Sequence, residues 1–332
     1  MPKPTYADIA RRAGTGTATV ERVLNGRGGV RPQTAMRVIA AARALDWPGR
    51  LPERHRGILR IEVILVRPDS SFFARLARAY HRIAATLDPA VQVHVTFLDE
   101  GDGPAIARRI ARPEVPRAGL IVACPGFPEV RAALAAAVAA GLPVIQVVTE
   151  ILPGTPFVGI DNRAAGRTAA LMLARMCQRD GPVVALCHSH LYQVHRERLR
   201  GFSDYFARHP GPRLAFVWAA FGQDDRDLSA RRLREVLREW PGLAGLYNAG
   251  GANTAVLEIL ARHRPHVFFV GHELSPATEA ALRAGVADIV LDQVPEAQAR
   301  RTLDLMLSRL GLTGMTIDNP PIRFTTVTAE NL

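Results

Sequence analysis

From residue 60 onward, short apolar runs alternate with amphipathic stretches, and that alternation constrains the fold more than any other feature of the chain. Strands are predicted at 61–66, 92–98, 119–123, 143–148, 183–187, 214–219, 245–247, 267–270 and 288–291. Helical stretches at 72–87, 164–178, 228–239 and 277–284 lie between them. A strand that returns to its sheet through a helix runs parallel to the one before it, so the pattern implies parallel sheets covered by helices. Roughly 270 residues exceed a single comfortable core, and two α/β lobes are expected.

Open parallel sheets bind ligands just beyond the carboxyl ends of their strands. The residues that follow each run here are Ser71-Phe72-Phe73, Asp99, Cys124-Pro125, Glu150, Asp161-Asn162, His188, Phe221, Asn248, His272-Glu273 and Asp292-Gln293. Carboxylates, amides and aromatics recur in that set. No glycine-rich phosphate loop or P-loop lysine follows any strand. Such a lining suits a neutral polyol, whose hydroxyls donate to carboxylates and whose C–H faces lie on aromatic rings.

The first fifth of the chain is built differently. Residues 5–45 read as three short helices, with Thr5 and Asp8 as a capping box for the first and Gly14-Thr15-Gly16 as the turn into the second. In the second helix Val20, Val23 and Leu24 share one side, which leaves Thr17, Ala18, Glu21 and Arg22 outward. The third buries Ala35, Val38, Ile39, Ala42 and Leu45, and the whole makes a helix-turn-helix. Residues 1–60 hold twelve Lys plus Arg against four Asp plus Glu, whereas the remaining residues hold thirty against twenty-seven. Most of the formal charge of +11 therefore sits at the end that would meet phosphates. On spacing alone, a small module that binds protein is the competing reading.

Residues 5–45 resemble the DNA-binding domain of the LacI family of bacterial regulators. The matching residues are Thr5, Asp8, Ile9, Ala10, Ala13, Gly14, Ala18-Thr19-Val20 and Arg22-Val23-Leu24-Asn25, then Val30 and Val38. By that resemblance Thr17, Ala18 and Arg22 read bases, while Thr5, Asn25 and Thr34 position the module on the DNA backbone. The chain departs from the family at Gly16 and at Glu21, where serine is usual. A carboxylate at 21 faces phosphate and weakens binding unless Arg22 or Arg12 pairs with it. Residues 48–60 form the linker, where the family carries a hinge helix with a minor-groove leucine. Pro48, Gly49 and Pro52 work against a helix there, and Leu51 and Leu59 are the available wedges.

The remainder, 61–332, resembles the effector domain of the same family and the periplasmic sugar-binding proteins. The segments that carry the likeness are 157–162 with Gly166, 198–202, Tyr247-Asn248, 270–273 and 291–293 with Pro295. The resemblance implies that Phe72 and Phe73 pack on an effector, that Asp161, Arg198, Asn248, Glu273 and Gln293 hydrogen-bond it, and that Phe221 stacks on it. Glu273 replaces the usual aspartate, and Ala249 stands where an aspartate is common. Asp161 and Asn162 could instead cap a helix, and Arg198 could be a buried ion-pair partner.

Together these readings give an N-terminal all-α DNA-binding domain (1–47) and a two-lobed α/β core resembling periplasmic binding proteins. The expected function is transcription regulation, as a repressor whose operator affinity responds to a small sugar or sugar alcohol. One helix-turn-helix reads one half-site, so a homodimer or tetramer on operator DNA is expected. A periplasmic-type transport protein and a regulator sensing a nucleobase are the alternatives. MPKPTYADIA has no apolar signal core, and 132–148 is broken by Gly141-Leu142-Pro143, so a cytoplasmic location without a membrane span is expected. Cys124, Cys177 and Cys187 have no paired spacing. No nucleophile–base pair or cofactor motif is present, so neither catalysis nor a cofactor is expected, and His188, His190 and His195 lack a completing ligand for a metal.

Overall fold

The computed structural model describes residues 4–27, 29–48, 58–187, 192–223, 225–263 and 266–332. Three helices open the chain: α1 (Tyr6–Ala13), α2 (Thr17–Leu24) and α3 (Pro32–Ala44). Thr5 caps α1 reciprocally, its hydroxyl accepting from Asp8 N at 3.3 Å while the Asp8 carboxylate accepts from Thr5 N at 3.0 Å. Gly14 then turns the chain at a φ of 60°, where a side chain would be strained. Ile9, Ala10, Val20, Val38, Ala41 and Ala42 form a small separate core. Ala35, Ile39 and Leu45 cover it only in part, and Tyr6 and Trp47 close its end with ring centroids 5.2 Å apart.

The first lobe comprises β1 (Leu59–Val66), α4 (Ser71–Ala84), β2 (Val91–Leu98), α5 (Gly103–Ala111), β3 (Gly119–Val122), α6 (Pro128–Ala139), β4 (Val144–Val147) and β5 (Phe157–Val158). Its five strands lie in the order β2-β1-β3-β4-β5, every pairing parallel. Strand β1 reads LRIEVILV and is buried nearly throughout, as a central strand with helices on both faces must be.

The second lobe comprises α7 (Asn162–Met176), β6 (Gly181–Cys187), α8 (Gln193–Arg208), β7 (Leu214–Phe221), α9 (Arg226–Glu239), β8 (Gly245–Asn248), α10 (Asn253–His263), β9 (Phe268–His272), α11 (Pro276–Arg283) and β10 (Ile289–Asp292). The chain then crosses back as α12 (Pro295–Arg309), which packs on the first lobe, where Tyr80 and Thr302 hydroxyls meet at 2.7 Å. It returns past Ile322, bridged to Ile160, into β11 (Thr325–Val327). The six-stranded sheet runs β11-β10-β9-β8-β6-β7. Strand β11 is antiparallel to β10, and sequence periodicity had given no sign of so short a strand. Three crossings therefore join two lobes.

Helices α7 and α8 approach backbone to backbone. A Cβ on Gly166 would lie 1.9 Å from the Arg198 carbonyl oxygen, and one on Gly201 would lie 2.0 Å from that of Arg163. This contact fixes where α8 holds Arg198. Of the two candidate hinge leucines, Leu59 opens β1 and is buried, so it is not a wedge, and Leu51 lies outside the described residues. Among the described residues no helix is long and apolar enough to cross a membrane.

Candidate functional site

Side chains past the strand ends of one lobe touch those of the other, which places the carboxyl edges of the two sheets across a shared cleft. Tyr192, which precedes α8, donates its hydroxyl to Glu100, beyond β2. Glu100 also pairs with Arg67, past β1, at 3.5 Å. On α4, Arg75 reaches into the second lobe, donating to the Leu274 carbonyl at 2.9 Å and to both Asp292 oxygens at 2.7 and 3.3 Å. It also binds Glu296 at the start of α12, at 2.8 and 3.2 Å. Burial opposes the charge on Arg75, but the two carboxylates outweigh it and raise its pKa.

The backbone is strained along this edge. Seven described non-glycine residues adopt positive φ, and six of them lie just past a parallel strand: Arg67, Val148, Gln223, Ala252, Glu273 and Val294. Left-handed conformations cost such residues about 1–3 kcal/mol each and concentrate where surrounding structure aims side chains into a site.

Four expected effector residues come together on the second lobe. Arg198 is 3% exposed, donating from Nε to Asn162 Oδ1 at 2.8 Å and from Nη1 to the Ala249 carbonyl at 2.8 Å. Asn248 donates to Asn253 Oδ1 at 2.7 Å and to the Gly251 carbonyl at 2.9 Å, while its own Oδ1 is buried without a partner. Gln293 donates to Glu273 Oε1, and Glu273 Oε2 is likewise buried and unpartnered. Burial, reinforced by Asp292, pushes the Glu273 carboxyl up to about 7. Behind them His272 shares a 2.8 Å hydrogen bond with the Tyr247 hydroxyl, and burial, then Arg198 and His195, hold it well below its ordinary pKa.

The other four are placed differently. Asp161 is exposed and caps α7, accepting from Ala164 N at 2.8 Å. Its neighbour Asn162 is the residue that meets Arg198. Arg198 is therefore held by an amide and a carbonyl, not by an ion pair. Phe72 and Phe73 are buried in the first lobe's core, packed edge to face at 5.4 Å. Phe221, half-buried at the end of β7, packs against the large apolar cluster that runs through both lobes. Sequence reading had missed Arg75, Glu100 and the Asn162 contact. The partners of Arg75 lie more than 190 residues away, beyond any local pattern. His188 and His190 lie outside the described residues, and His195 is buried on α8.

In the N-terminal domain, Thr17, Ala18 and Arg22 form an exposed row on α2, and Arg22 makes no ion pair among the described residues. Glu21 pairs with Arg27 at 3.3 Å and not with Arg22 or Arg12, which leaves Arg22 its full donor set. Asn25 ends α2 on the exposed side, and Thr34 is half-buried on α3. The Thr5 hydroxyl lies 2.7 Å from the Asp8 carboxylate that completes its cap.

Two families match the chain. Residues 5–48 match the bacterial regulatory proteins of the lacI family, and residues 105–312 match the periplasmic binding protein domain. No curated protein matches. Among solved structures, the fold is similar to an ABC transporter solute-binding protein from Burkholderia graminis in complex with D-arabinose. The TM-score is 0.74 at 17% identity, over 84% of this chain and 98% of that one. It is similar to a solute-binding protein from Agrobacterium vitis bound with α-D-tagatopyranose, with a TM-score of 0.72 at 21% identity over 82% and 95%. It is similar, too, to a glucose-galactose binding protein from Geobacillus stearothermophilus, with a TM-score of 0.71 at 16% identity over 82% and 98%.

Proposed function

The chain belongs to the lacI family of bacterial regulatory proteins, with a periplasmic binding protein domain behind its DNA-binding domain, and from that premise we propose that it is a cytoplasmic repressor whose operator affinity is set by a small sugar or sugar alcohol. It acts by binding and not by catalysis. Two copies act together, because one helix-turn-helix spans only a half-site. The effector lies at the strand ends, against Arg198, Asn248, Glu273 and Gln293.

The observation that carries the reading is a pair of buried side-chain oxygens without a protein partner among the described residues, Asn248 Oδ1 and Glu273 Oε2. A buried acceptor left unpaired costs about 1–3 kcal/mol, which a ligand hydroxyl relieves. Vicinal hydroxyls satisfy two such acceptors at once. The sugars named for the three similar structures favour the same class. Effector binding changes the closure of the lobes and so the spacing of the paired DNA-binding heads, by as much as its affinity differs between the two states.

A thermal-shift panel of sugars, sugar alcohols and nucleobases tests the proposal, since a ligand at a hundred times its Kd stabilises by about 2.7 kcal/mol. A sugar or polyol that raises Tm and changes operator retention in a gel-shift assay supports it. Stabilisation by nucleobases alone would overturn the effector class and leave the DNA-binding reading standing.

A further inference from the structure

The arginines at the cleft are not alike in their partners. Arg67 pairs with Glu100, and Arg75 with both Asp292 and Glu296. Arg198, on α8, is more deeply buried than either and forms no ion pair among the described residues. Its two hydrogen bonds go to neutral groups, the Asn162 amide oxygen and the Ala249 carbonyl, and its Nη2 donates to no atom of the described residues. The titratable groups that feel its charge are His272, Tyr247 and Glu273. Burial lowers the pKa of His272 and raises that of Tyr247, so both stay neutral. Glu273 alone of the three is anionic near neutral pH, and burial, reinforced by Asp292, lifts its pKa to about 7, so that only about half of it is ionised there.

A guanidinium taken out of water without a full counter-ion is costly, and an arriving anion relieves that cost. Its planar fork takes the two oxygens of a carboxylate side by side. On the same lobe, Asn248 Oδ1 and Glu273 Oε2 are buried without partners among the described residues, and hydroxyl donors would satisfy them. From this arrangement we propose that the effector is a sugar acid, an aldonate or uronate, whose carboxylate pairs with Arg198 and whose hydroxyls donate to Asn248 and Glu273. Such an effector presupposes the sugar site of the cleft and narrows its class. A single negative charge matches the single guanidinium that lacks a carboxylate, whereas a phosphate ester brings about two.

Matched pairs on the full chain test the class, by thermal shift and calorimetry at constant ionic strength: D-gluconate with D-glucitol, D-glucuronate with D-glucose, D-galacturonate with D-galactose, and D-arabinonate with D-arabinose. D-glucose 6-phosphate serves as the dianion. The basic N-terminal domain attracts anions as well, and acetate at the same concentration reports that background. At least one acid should bind about tenfold or more tightly than its neutral partner. Arg198→Gln should lose that preference and leave the acetate background unchanged. Ala249→Asp, which sets a carboxylate beside Arg198, should lose it too, and the comparison of acid with neutral sugar in the unaltered protein needs neither variant to fold. Neutral sugars that bind as tightly as their acids would overturn the charge and leave the sugar site standing, whereas a failure of every acid and every neutral sugar would overturn both. Binding of the phosphate ester alone, or an acid preference undiminished by both substitutions, would also overturn the pairing of a carboxylate with Arg198.

Discussion

Gln293 donates its side-chain amide to one oxygen of Glu273, and the other oxygen of that carboxyl is buried without a donor. Folding raises the Glu273 pKa from 4.5 to about 7, chiefly by burial. Between those values the folded chain holds the proton that the unfolded chain has released. Stability therefore falls as pH rises through the window and levels off above it. The whole change is on the order of 3 kcal/mol, at about 1.4 kcal/mol per pKa unit. Glu273→Gln keeps the acceptor for Gln293 and removes the titration. Urea unfolding from pH 4.5 to 8 should give a flatter profile for this variant and higher stability at pH 8. Parallel profiles for the two proteins would place the titrating group elsewhere.

Arg75 joins the lobes through Asp292, whose side chain is 6% exposed. Arg75→Ala leaves that carboxylate buried without its counter-ion, at a cost of roughly 3 kcal/mol or more. The exposed Arg232–Glu235 pair, at 2.9 Å on one helix face, offers the comparison, and Arg232→Ala should cost less than about 1 kcal/mol. Chemical denaturation of the two variants measures the contrast. Similar costs would mean that Arg75 does not hold the lobes together.

The parallel topology was legible because each strand of the core carries an apolar run and each connection a helical period, as in LRIEVILV followed by SFFARLARAYHRIA. Strand β11 was not legible: three residues, TTV, are too few to show a period, and they are ordered by pairing with Asp292 and its neighbours. Placement past a strand located Asn248, Glu273 and Gln293, because strand ends are set by local pattern, whereas Arg198, inside α8, came from the family resemblance alone. Which hydrogen bonds they make was beyond it. Asn162 takes Arg198 and its neighbour Asp161 caps, because Asp161 is the N-cap of α7 and Asn162 its first residue. Contacts across the lobes, such as Tyr192 with Glu100, depend on how two separately folded sheets meet, which no single stretch of sequence encodes.

Gly201 and Gly166 let α7 and α8 touch, and through them set the height of Arg198. Gly201→Ala would drive a methyl into the Arg163 carbonyl, a backbone atom that cannot swing aside. The helices must separate, at a cost of about 3 kcal/mol or more. Gly211→Ala meets nothing within 4 Å and should be close to neutral. Thermal unfolding separates the two, and a Gly201→Ala protein as stable as the unaltered chain would contradict the close packing.

Arg22 stands exposed on α2 with no carboxylate to hold it, because Arg27 takes the neighbouring Glu21. An arginine one turn beyond the small residues Thr17 and Ala18 can reach both acceptors of a guanine edge. Arg22→Ala should therefore relax preference at a single position of each half-site, at about 1–3 kcal/mol per contact. Arg27→Ala should act the other way round, freeing Glu21 to face phosphates and weakening all sequences together. Selection of bound DNA from a randomised pool reads both effects, as a lost preference at one position or as a uniform fall in retention. If Arg22→Ala lowered retention uniformly and kept every base preference, Arg22 would be a phosphate contact, and base reading would rest on the rest of the α2 row.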